Sequence, residues 1–219
     1  MVSGLANGAA AFIPVEEIAE GLALRKQRPE LLLAGERDGV RISAALTGSI
    51  AFDLGNSPRE FTQESVAGKT IVTTTTNGTR ALRACAPARS VLLGAFLNLQ
   101  ATAAWLEAQR PARLLLVCSG THEEAAYEDV LGAGALCELL WRGFGDGTVA
   151  DSARMARRLY RLEQANLQAA VAGSRNGSRL LAMPELRDDV AFCLQRDVFQ
   201  LVAGLNKDGQ VTSISSPLS

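Results

Sequence analysis

Threonines crowd one short stretch of the chain, Thr70-Ile-Val-Thr-Thr-Thr-Thr-Asn-Gly-Thr79. Its β-branched start predicts a strand, and Asn77-Gly78-Thr79 lies where the next helix should begin. Because a helix N-terminus presents free backbone N–H groups and the positive end of the helix dipole, it attracts phosphate. Gly78 lets a ligand approach the backbone, and the hydroxyls of Thr75 and Thr76 can add hydrogen bonds. The stretch predicts an anion site, although helix capping by either hydroxyl would explain the same residues.

A second stretch with similar chemistry is Gly55-Asn56-Ser57-Pro58. Ser57 is a good N-cap, Pro58 suits the first helical position, and Glu60 stands at the third. Small polar residues therefore precede two predicted helices. We expect Asn56 and Ser57 to bind the same small anionic ligand as the threonine stretch.

Four acidic residues lie at comparable junctions: Glu36, Asp53, Glu128 and Asp129. Mg²⁺ prefers hard oxygen ligands and is usually held by one or two carboxylates, waters and substrate phosphate. Each acid could equally be a solvated residue or a helix cap, since acids in a first helical turn also stabilise the helix dipole. Arg37 could clamp a phosphate or sulfonate, or lie on the surface.

These polar junctions need a fold that brings them to one edge. Short apolar strands, predicted at residues 11–15, 31–34, 70–74, 91–94 and 114–118, alternate with amphipathic helices. The alternation predicts an α/β fold with a mixed, largely parallel sheet flanked by helices, and a mainly helical C-terminal part. In such sheets ligands bind beyond the carboxyl ends of the strands. We expect one domain over residues 1–219, with a sub-boundary near 143–150.

Composition narrows the class of function. The net charge of −1 argues against nucleic-acid binding, and Arg154, Arg157 and Arg158 are expected to form a solvated helix face. No apolar run is long enough to cross a membrane. The four cysteines form no C-x-x-C motif, and His122 is the single histidine, which excludes a multi-histidine metal site. A reducing cytoplasm fits best, and the oligomeric state stays open, with a homo-oligomer as one option.

The sequence does not match the short motifs that identify nucleotide-binding enzymes or serine hydrolases. Gly68-Lys69-Thr70 matches the end of a P-loop, but Gln63 stands where the first glycine is needed. Gly143-Phe-Gly-Asp-Gly147 follows a helix rather than a strand, so a dinucleotide fingerprint is disfavoured. No G-x-S-x-G nucleophile elbow occurs. A nucleotide-dependent enzyme is therefore disfavoured.

These residues resemble one family closely, the 2-phosphosulfolactate phosphatases. The similarity covers essentially the whole chain. It lies in L5-A-N-G8, I13-P-V-E-E17, A34-G-E-R37, F52-D-L-G-N-S-P58, G68-K-T-I-V-T-T-T-T-N-G-T-R-A-L82, C118-S-G-T121, E128-D-V-L131 and D189-V-A-F-C-L-Q-R-D197. The F-D-L-G-N-S-P and T-T-T-N-G-T motifs together make the resemblance specific.

The resemblance implies Mg²⁺-dependent hydrolysis of (2R)-phospho-3-sulfolactate to 3-sulfolactate and phosphate, a step of coenzyme M biosynthesis in some organisms. It leads us to expect Mg²⁺ on Glu36 and Asp53, and a catalytic base among Asp53, Glu128 and Asp129. Thr75, Thr76, Asn77, Gly78 and Thr79 would hold the phosphoryl group. Arg37 and Asn56 would orient the sulfonate or carboxylate.

Two departures from the family keep alternatives open. The family usually starts with a strand that ends in an acid and an arginine, and this sequence begins after that point. Two interpretations follow: the start is assigned too late, or the protein is a shortened, non-catalytic anion-binding homologue. Ser119 and His122 stand where alanine and glycine are expected. A phosphatase for another small phosphorylated acid is the remaining alternative.

Overall fold

The computed structural model describes residues 1–144 and 149–214. They group into two compact units, the first formed by Met1–Leu93 and Ala203–Ile214 and the second containing Gly94–Val202. The sub-boundary predicted near 143–150 falls largely on residues 145–148, which lie outside the described residues. The prediction of the domain boundary therefore stays a prediction.

The described residues contain a mixed seven-stranded sheet, and all of it except Val202 belongs to the first unit. Its strands are β1 (Ala11–Pro14), β2 (Leu32–Arg37), β3 (Val40–Arg41), β4 (Thr70–Thr74), β5 (Leu92–Leu93), β6 (Val202–Leu205) and β7 (Val211–Ile214). Their order across the sheet is β3-β2-β4-β1-β7-β6-β5. β4 pairs in parallel with both β2 and β1, whereas β3 and β2, β1 and β7, and β5 and β6 pair antiparallel. The predicted α/β class with a mixed sheet is confirmed.

β4 has the bounds that the threonine stretch predicts. Val72 lies opposite Ile13 on one side and Leu33 on the other, so both edges of β4 are paired. Val72 and Leu33 are fully buried, in a cluster with Val15, Leu31, Ile42 and Phe52. Burial of such side chains is the main stabilising term for a strand of this kind. The carboxyl end of β4 is therefore fixed from both sides.

Short helices connect the strands of the first unit. They are α1 (Val2–Ala6), α2 (Ile18–Gln27), α3 (Ala44–Thr47), α4 (Gln63–Val66) and α5 (Gly78–Cys85). Residues 40–57, predicted as a long loop, contain β3 and α3. The helix predicted to start at Ser57 is one 3-10 turn, Pro58–Glu60, because Thr62 caps a separate helix by accepting a hydrogen bond from Ser65 N–H.

The described part of the second unit is mainly helical, as predicted. Its α-helices are α6 (Leu99–Gln109), α7 (Tyr127–Phe144), α8 (Asp151–Glu163), α9 (Leu167–Ala172), α10 (Arg175–Ala182) and α11 (Arg187–Cys193). Short 3-10 turns precede α6 and α9. Across residues 1–144 and 149–214, no helix combines the length and the apolar character needed to cross a membrane.

The strand predicted at residues 114–118 is wrong. The segment has no regular structure, and no backbone hydrogen bond joins it to another described residue. Leu115 and Val117 are 79% and 52% exposed, whereas Leu114 and Leu116 are half-buried. The side chains alternate as they would in a strand, but a strand is defined by backbone pairing, which this segment lacks.

Candidate active site

The turn between β4 and α5 is built by its own threonines. Thr75 Oγ1 accepts a hydrogen bond from Thr79 N–H at 3.2 Å, and Thr79 Oγ1 accepts one from Thr75 N–H at 3.3 Å. Thr79 also donates its hydroxyl to Thr75 O at 3.2 Å. The pair satisfies one of the free donors at the start of α5, as an N-cap does. Capping by Thr75, the simpler of the two interpretations, is therefore observed.

Glu36 fixes the next residue of that turn. Its carboxylate is buried at the end of β2 and accepts hydrogen bonds from Thr76 N–H at 2.8 Å and Gly39 N–H at 2.7 Å. The hydroxyl of Thr76 donates to the same carboxylate at 3.1 Å. Because both oxygens already receive donors, Glu36 is suited to holding Thr76 in place.

Capping by Thr75 leaves part of the helix start open. The N–H groups of Asn77 and Gly78 have no acceptor among the described residues. Gly78 is exposed, and a Cβ built on it would meet Thr75 Oγ1 at 3.4 Å, which is ordinary contact. Its φ is not in the left-handed region. Since neither packing nor backbone strain requires glycine here, the open space above Gly78 is available to a ligand.

Arg37 lies beside this turn and braces it. Its guanidinium donates to Thr74 Oγ1 at 3.1 Å, to Glu36 O at 2.8 Å and to Glu16 O at 3.3 Å. These bonds join the carboxyl ends of β2 and β4 to the loop before α2. The structure thus brings together Glu36, Arg37 and the residues of the threonine turn, as the sequence predicts.

Asp53 makes different contacts. Its Oδ2 accepts hydrogen bonds from Leu33 N–H and from Arg25, both at 2.7 Å. Leu54 runs parallel to β2 beside Ala34, so the chain after Asp53 proceeds toward the end of β2 that carries Glu36. Asp53 therefore lies beside Leu33 near the start of β2, and its contacts are to Arg25 and Leu33 rather than to the threonine turn.

The segment that follows Asp53 forms a tight turn. Gly55 N–H donates to Glu60 at 2.9 Å, and a Cβ on Gly55 would approach that carboxylate within 2.6 Å. Ser57 is buried and accepts a hydrogen bond from Arg59 N–H at 3.3 Å, as the predicted N-cap should. Asn56 is exposed. Of the two predicted ligand-binding residues here, Asn56 is the one that faces solvent.

In the second unit, Asp129 organises the turn before α7. Its Oδ2 accepts hydrogen bonds from Gly120 N–H at 2.8 Å and from the Ser119 hydroxyl at 3.3 Å. Burial raises the pKa of Asp129, and the negative charge of Glu128 adds to the rise against the lowering effect of these hydrogen bonds. A carboxyl with a raised pKa in a polar turn is a candidate proton carrier.

Two residues of that turn adopt the left-handed region. His122 has φ +50° and Glu123 has φ +65°, inside a tight turn closed by paired backbone bonds between Thr121 and Glu124. Glycine adopts such angles without steric cost, whereas other residues do so at an energetic penalty. The glycine expected at position 122 from the family resemblance would therefore suit this backbone.

The sequence prediction missed a polar group around Glu128. Asn176 Nδ2 donates to Glu128 at 2.6 Å and to Thr121 Oγ1 at 2.8 Å, and Ser174 donates to Glu128 at 3.4 Å. Arg175 donates to Thr121 O at 3.2 Å and forms an ion pair with Glu124. The signal was present in the sequence: Ser174-Arg-Asn-Gly177 is another small polar stretch before a helix, and Ser174 caps α10.

A small cavity opens at this polar group. Its volume is about 230 Å³, and its lining residues are Glu124, Ala125, Ala126, Tyr127, Glu128, Arg175 and Asn176. A carboxylate, an amide and a guanidinium therefore face one space that can hold a small polar ligand. The predicted catalytic residue Glu128 lines this cavity.

Comparison with known proteins shows the family. A family model described as 2-phosphosulpholactate phosphatase matches residues 1–208. The chain belongs to the 2-phosphosulpholactate phosphatase family. A probable 2-phosphosulfolactate phosphatase of Caldanaerobacter subterraneus subsp. tengcongensis is 38% identical, over 96% of this chain and 84% of the relative. Proteins of the same name from Thermotoga petrophila and Deinococcus radiodurans are 36% and 37% identical, over 94% and 93% of this chain and 83% and 81% of their own lengths.

Membership of the 2-phosphosulpholactate phosphatase family makes the chain an enzyme of the phosphatase class. The threonine turn before α5 and the polar group around Glu128 both lie within the residues that the family model matches. Within residues 1–144 and 149–214, no group of three or more His, Cys, Asp or Glu side chains is arranged to hold a metal ion. A metal bound with fewer protein ligands is compatible with that finding, since Mg²⁺ commonly keeps waters and substrate oxygens in its coordination shell.

Proposed function

We propose that the chain is a Mg²⁺-dependent phosphomonoester hydrolase that converts (2R)-phospho-3-sulfolactate to 3-sulfolactate and phosphate. The family and the names of the relatives support this substrate. The substrate carries a phosphate, a sulfonate and a carboxylate, so its site must supply many hydrogen-bond donors. In the first unit, the threonine turn, Asn56 and Arg37 supply such donors as backbone N–H groups, hydroxyls, an amide and a guanidinium.

The observation that carries the proposal is the open start of α5. Glu36 and Thr79 fix Thr76 and Thr75, and the N–H groups of Asn77 and Gly78 remain unused. Donors that are already oriented before the substrate arrives stabilise the charge that develops on phosphoryl oxygens. We assign Thr76, Asn77 and Gly78 to the phosphoryl oxygens, with Thr75 and Thr79 holding the turn.

The remaining substrate groups are assigned to two other predicted binding residues of the first unit. Asn56 faces solvent in the turn after Asp53, and Arg37 braces the ends of β2 and β4. We assign both to the sulfonate or carboxylate of the substrate. Ser57 is buried and supports the turn that presents Asn56.

Among the predicted metal ligands, Asp53 has a carboxylate oxygen that its hydrogen bonds do not occupy. Both hydrogen bonds of Asp53 fall on Oδ2, so Oδ1 is not needed for them, whereas both oxygens of Glu36 receive donors. We keep Asp53 as the proposed metal contact that the family resemblance implies, although its bond to Leu33 N–H places it beside the start of β2 and not at the threonine turn. We assign the positioning of Thr76 to Glu36. When bound, Mg²⁺ would supply positive charge to the phosphate and lower the pKa of a water.

We assign the general base to Asp129. A base works best when its pKa lies near the working pH, and burial raises the pKa of Asp129 in that direction. Glu128, held by Asn176 and Ser174, lines the adjacent cavity and adds to that shift.

The decisive variant is Gly78→Ala. A Cβ fits the protein at this position and alanine favours helix, so the fold should be retained. A phosphate seated on the Asn77 and Gly78 N–H groups would meet that Cβ. We expect kcat/KM for phosphosulfolactate to fall by about 10-fold to 100-fold, the equivalent of one charge-assisted hydrogen bond.

The matched control is Gly143→Ala in α7, where a Cβ would meet nothing within 4 Å. Phosphate release should be unchanged there. EDTA should abolish turnover in the parent chain, and phospholactate, which lacks the sulfonate, should be a poorer substrate. Equal activity of the two alanine variants would refute the phosphate assignment. No phosphate release from phosphosulfolactate with Mg²⁺ would refute the proposed function.

A further inference from the structure

A groove between α7 and α8 has a composition that the phosphatase function does not use. Its volume is about 500 Å³, within the usual range for small-molecule sites. The groove lies near the C-terminal end of α7, whereas Glu128 and Asp129 lie at its start. Trp141 follows Glu128 by 13 positions, which is about 20 Å along a helix. The lining residues are Trp141, Arg154, Arg157, Arg158, Arg161 and Leu162.

The groove is strongly positive. One carboxylate, Glu138, accepts a hydrogen bond from Arg157 at 2.7 Å and lies 3.9 Å from Arg161. Arg154 and Arg158 form no ion pair with any residue in the described ranges. Four positive charges against one negative charge leave a local net charge of +3. The chain as a whole has a net charge of −1, so the groove is a local concentration of positive charge.

The arginines of the groove are more ordered than those of a solvated helix face, because two of them lie over the Trp141 ring. The guanidinium of Arg157 lies 4.0 Å from the centre of the Trp141 ring, and its side chain is only 21% exposed. Arg154 lies 5.8 Å from the same ring. Stacking on an aromatic ring fixes a guanidinium before any ligand arrives. Arginines three and four positions apart on α8 also repel one another, and a bound anion would remove that repulsion.

The groove also offers apolar surface. Leu162 is 71% exposed beside Arg158 and Arg161, and Trp141 contributes an aromatic ring. A free phosphate would use neither. A long nucleic acid would need a positive surface beyond the length of one helix. The size, charge and apolar lining together fit an organic molecule that carries several phosphates.

We propose that this arginine groove binds an organic polyphosphate of the nucleoside triphosphate class. The phosphates contact Arg154, Arg158 and Arg161, and the base lies against Leu162 and the Arg157 guanidinium that is stacked on Trp141. No phosphate transfer is involved, so the absence of a P-loop does not bear on it. The proposal is independent of the substrate assigned above, because it concerns other residues of the second unit.

The test is calorimetric titration of the full chain with ATP at low salt, in EDTA so that turnover does not interfere. The variant Arg154→Gln with Arg158→Gln should weaken ATP binding at least about tenfold, since each loses charge-assisted hydrogen bonds. The matched control is Arg179→Gln with Arg187→Gln, two exposed arginines of the same unit outside the groove. The control should change affinity by less than about twofold.

A second readout reports the groove directly. The chain has two tryptophans, so Trp105→Phe leaves Trp141 as the single indole fluorophore. ATP should change its fluorescence, and inorganic tripolyphosphate should bind more weakly than ATP. Equal weakening in both double variants, or none in the groove variant, would overturn the proposal. Equal affinity for tripolyphosphate, or tighter binding of a poly-glutamate peptide than of ATP, would overturn the nucleoside assignment.

Discussion

The turns before α5 and α7 are each held by a carboxylate, but the two carboxylates come from different kinds of element. In the turn before α5, the carboxylate comes from a separate strand, since Glu36 holds Thr76 across 40 positions of sequence. In the turn before α7, the carboxylate comes from the following helix, since Asp129 holds Gly120 across nine positions. The first turn depends on the sheet, and the second depends on its own helix.

The segments that precede the two turns also differ in how far they depend on the sheet. β4 is paired on both sides and buried, whereas residues 114–118 lack backbone pairing with described residues and expose Leu115 and Val117. Both segments are apolar and β-branched or leucine-rich in sequence. The comparison shows that an apolar run becomes a strand only where partners are available on its edges.

The largest effect should come from breaking the long-range contact. Glu36→Ala leaves the N–H groups of Thr76 and Gly39 without their buried acceptor, so we expect a loss of about 3 kcal/mol in the free energy of unfolding. Activity should fall as well, because the threonine turn loses its support. Urea unfolding and phosphate release measure the two effects. Glu64→Ala, an exposed acid of α4, is the control and should change neither.

A matched pair of valines tests the difference between the two incoming segments. Val72→Ala removes two methyl groups from a fully buried position in β4 and should cost about 2 kcal/mol of stability. Val117→Ala removes the same groups from a side chain that is 52% exposed and should cost less than about 0.5 kcal/mol. Equal losses in urea unfolding would show that residues 114–118 are packed in solution, contrary to the comparison.

The parts of the fold that the sequence could predict are those set by local chemistry. The bounds of β4, the start of α5 and the acids in the first turn of α7 follow from β-branched runs, caps and the helix dipole within a few residues. The parts that it could not predict depend on distant partners. Glu36 and Thr76, or Glu128 and Asn176, meet only once the chain has folded.

The smallest expected effect on stability comes from Asp129 in the turn before α7, and its pH dependence distinguishes it from the other effects. The raised pKa of Asp129 means that the fold favours its protonated form, so the contribution of this residue to stability is fully present below its unfolded pKa of about 4 and is lost as pH rises through the raised value. Asp129→Asn keeps an oxygen acceptor for Gly120 N–H and cannot ionise. We expect its free energy of unfolding to stay within about 1 kcal/mol of the parent and to vary less with pH.

Activity separates the catalytic role of Asp129 from this structural one. Loss of a general base should lower kcat by at least about 100-fold in Asp129→Asn, although the turn is intact. Asp208→Asn, an exposed residue between β6 and β7, is the control for both readouts. If kcat survives in Asp129→Asn while the pH dependence of stability flattens, Asp129 only supports the turn. The two turns would then differ in which acid supports them but share a structural role for that acid.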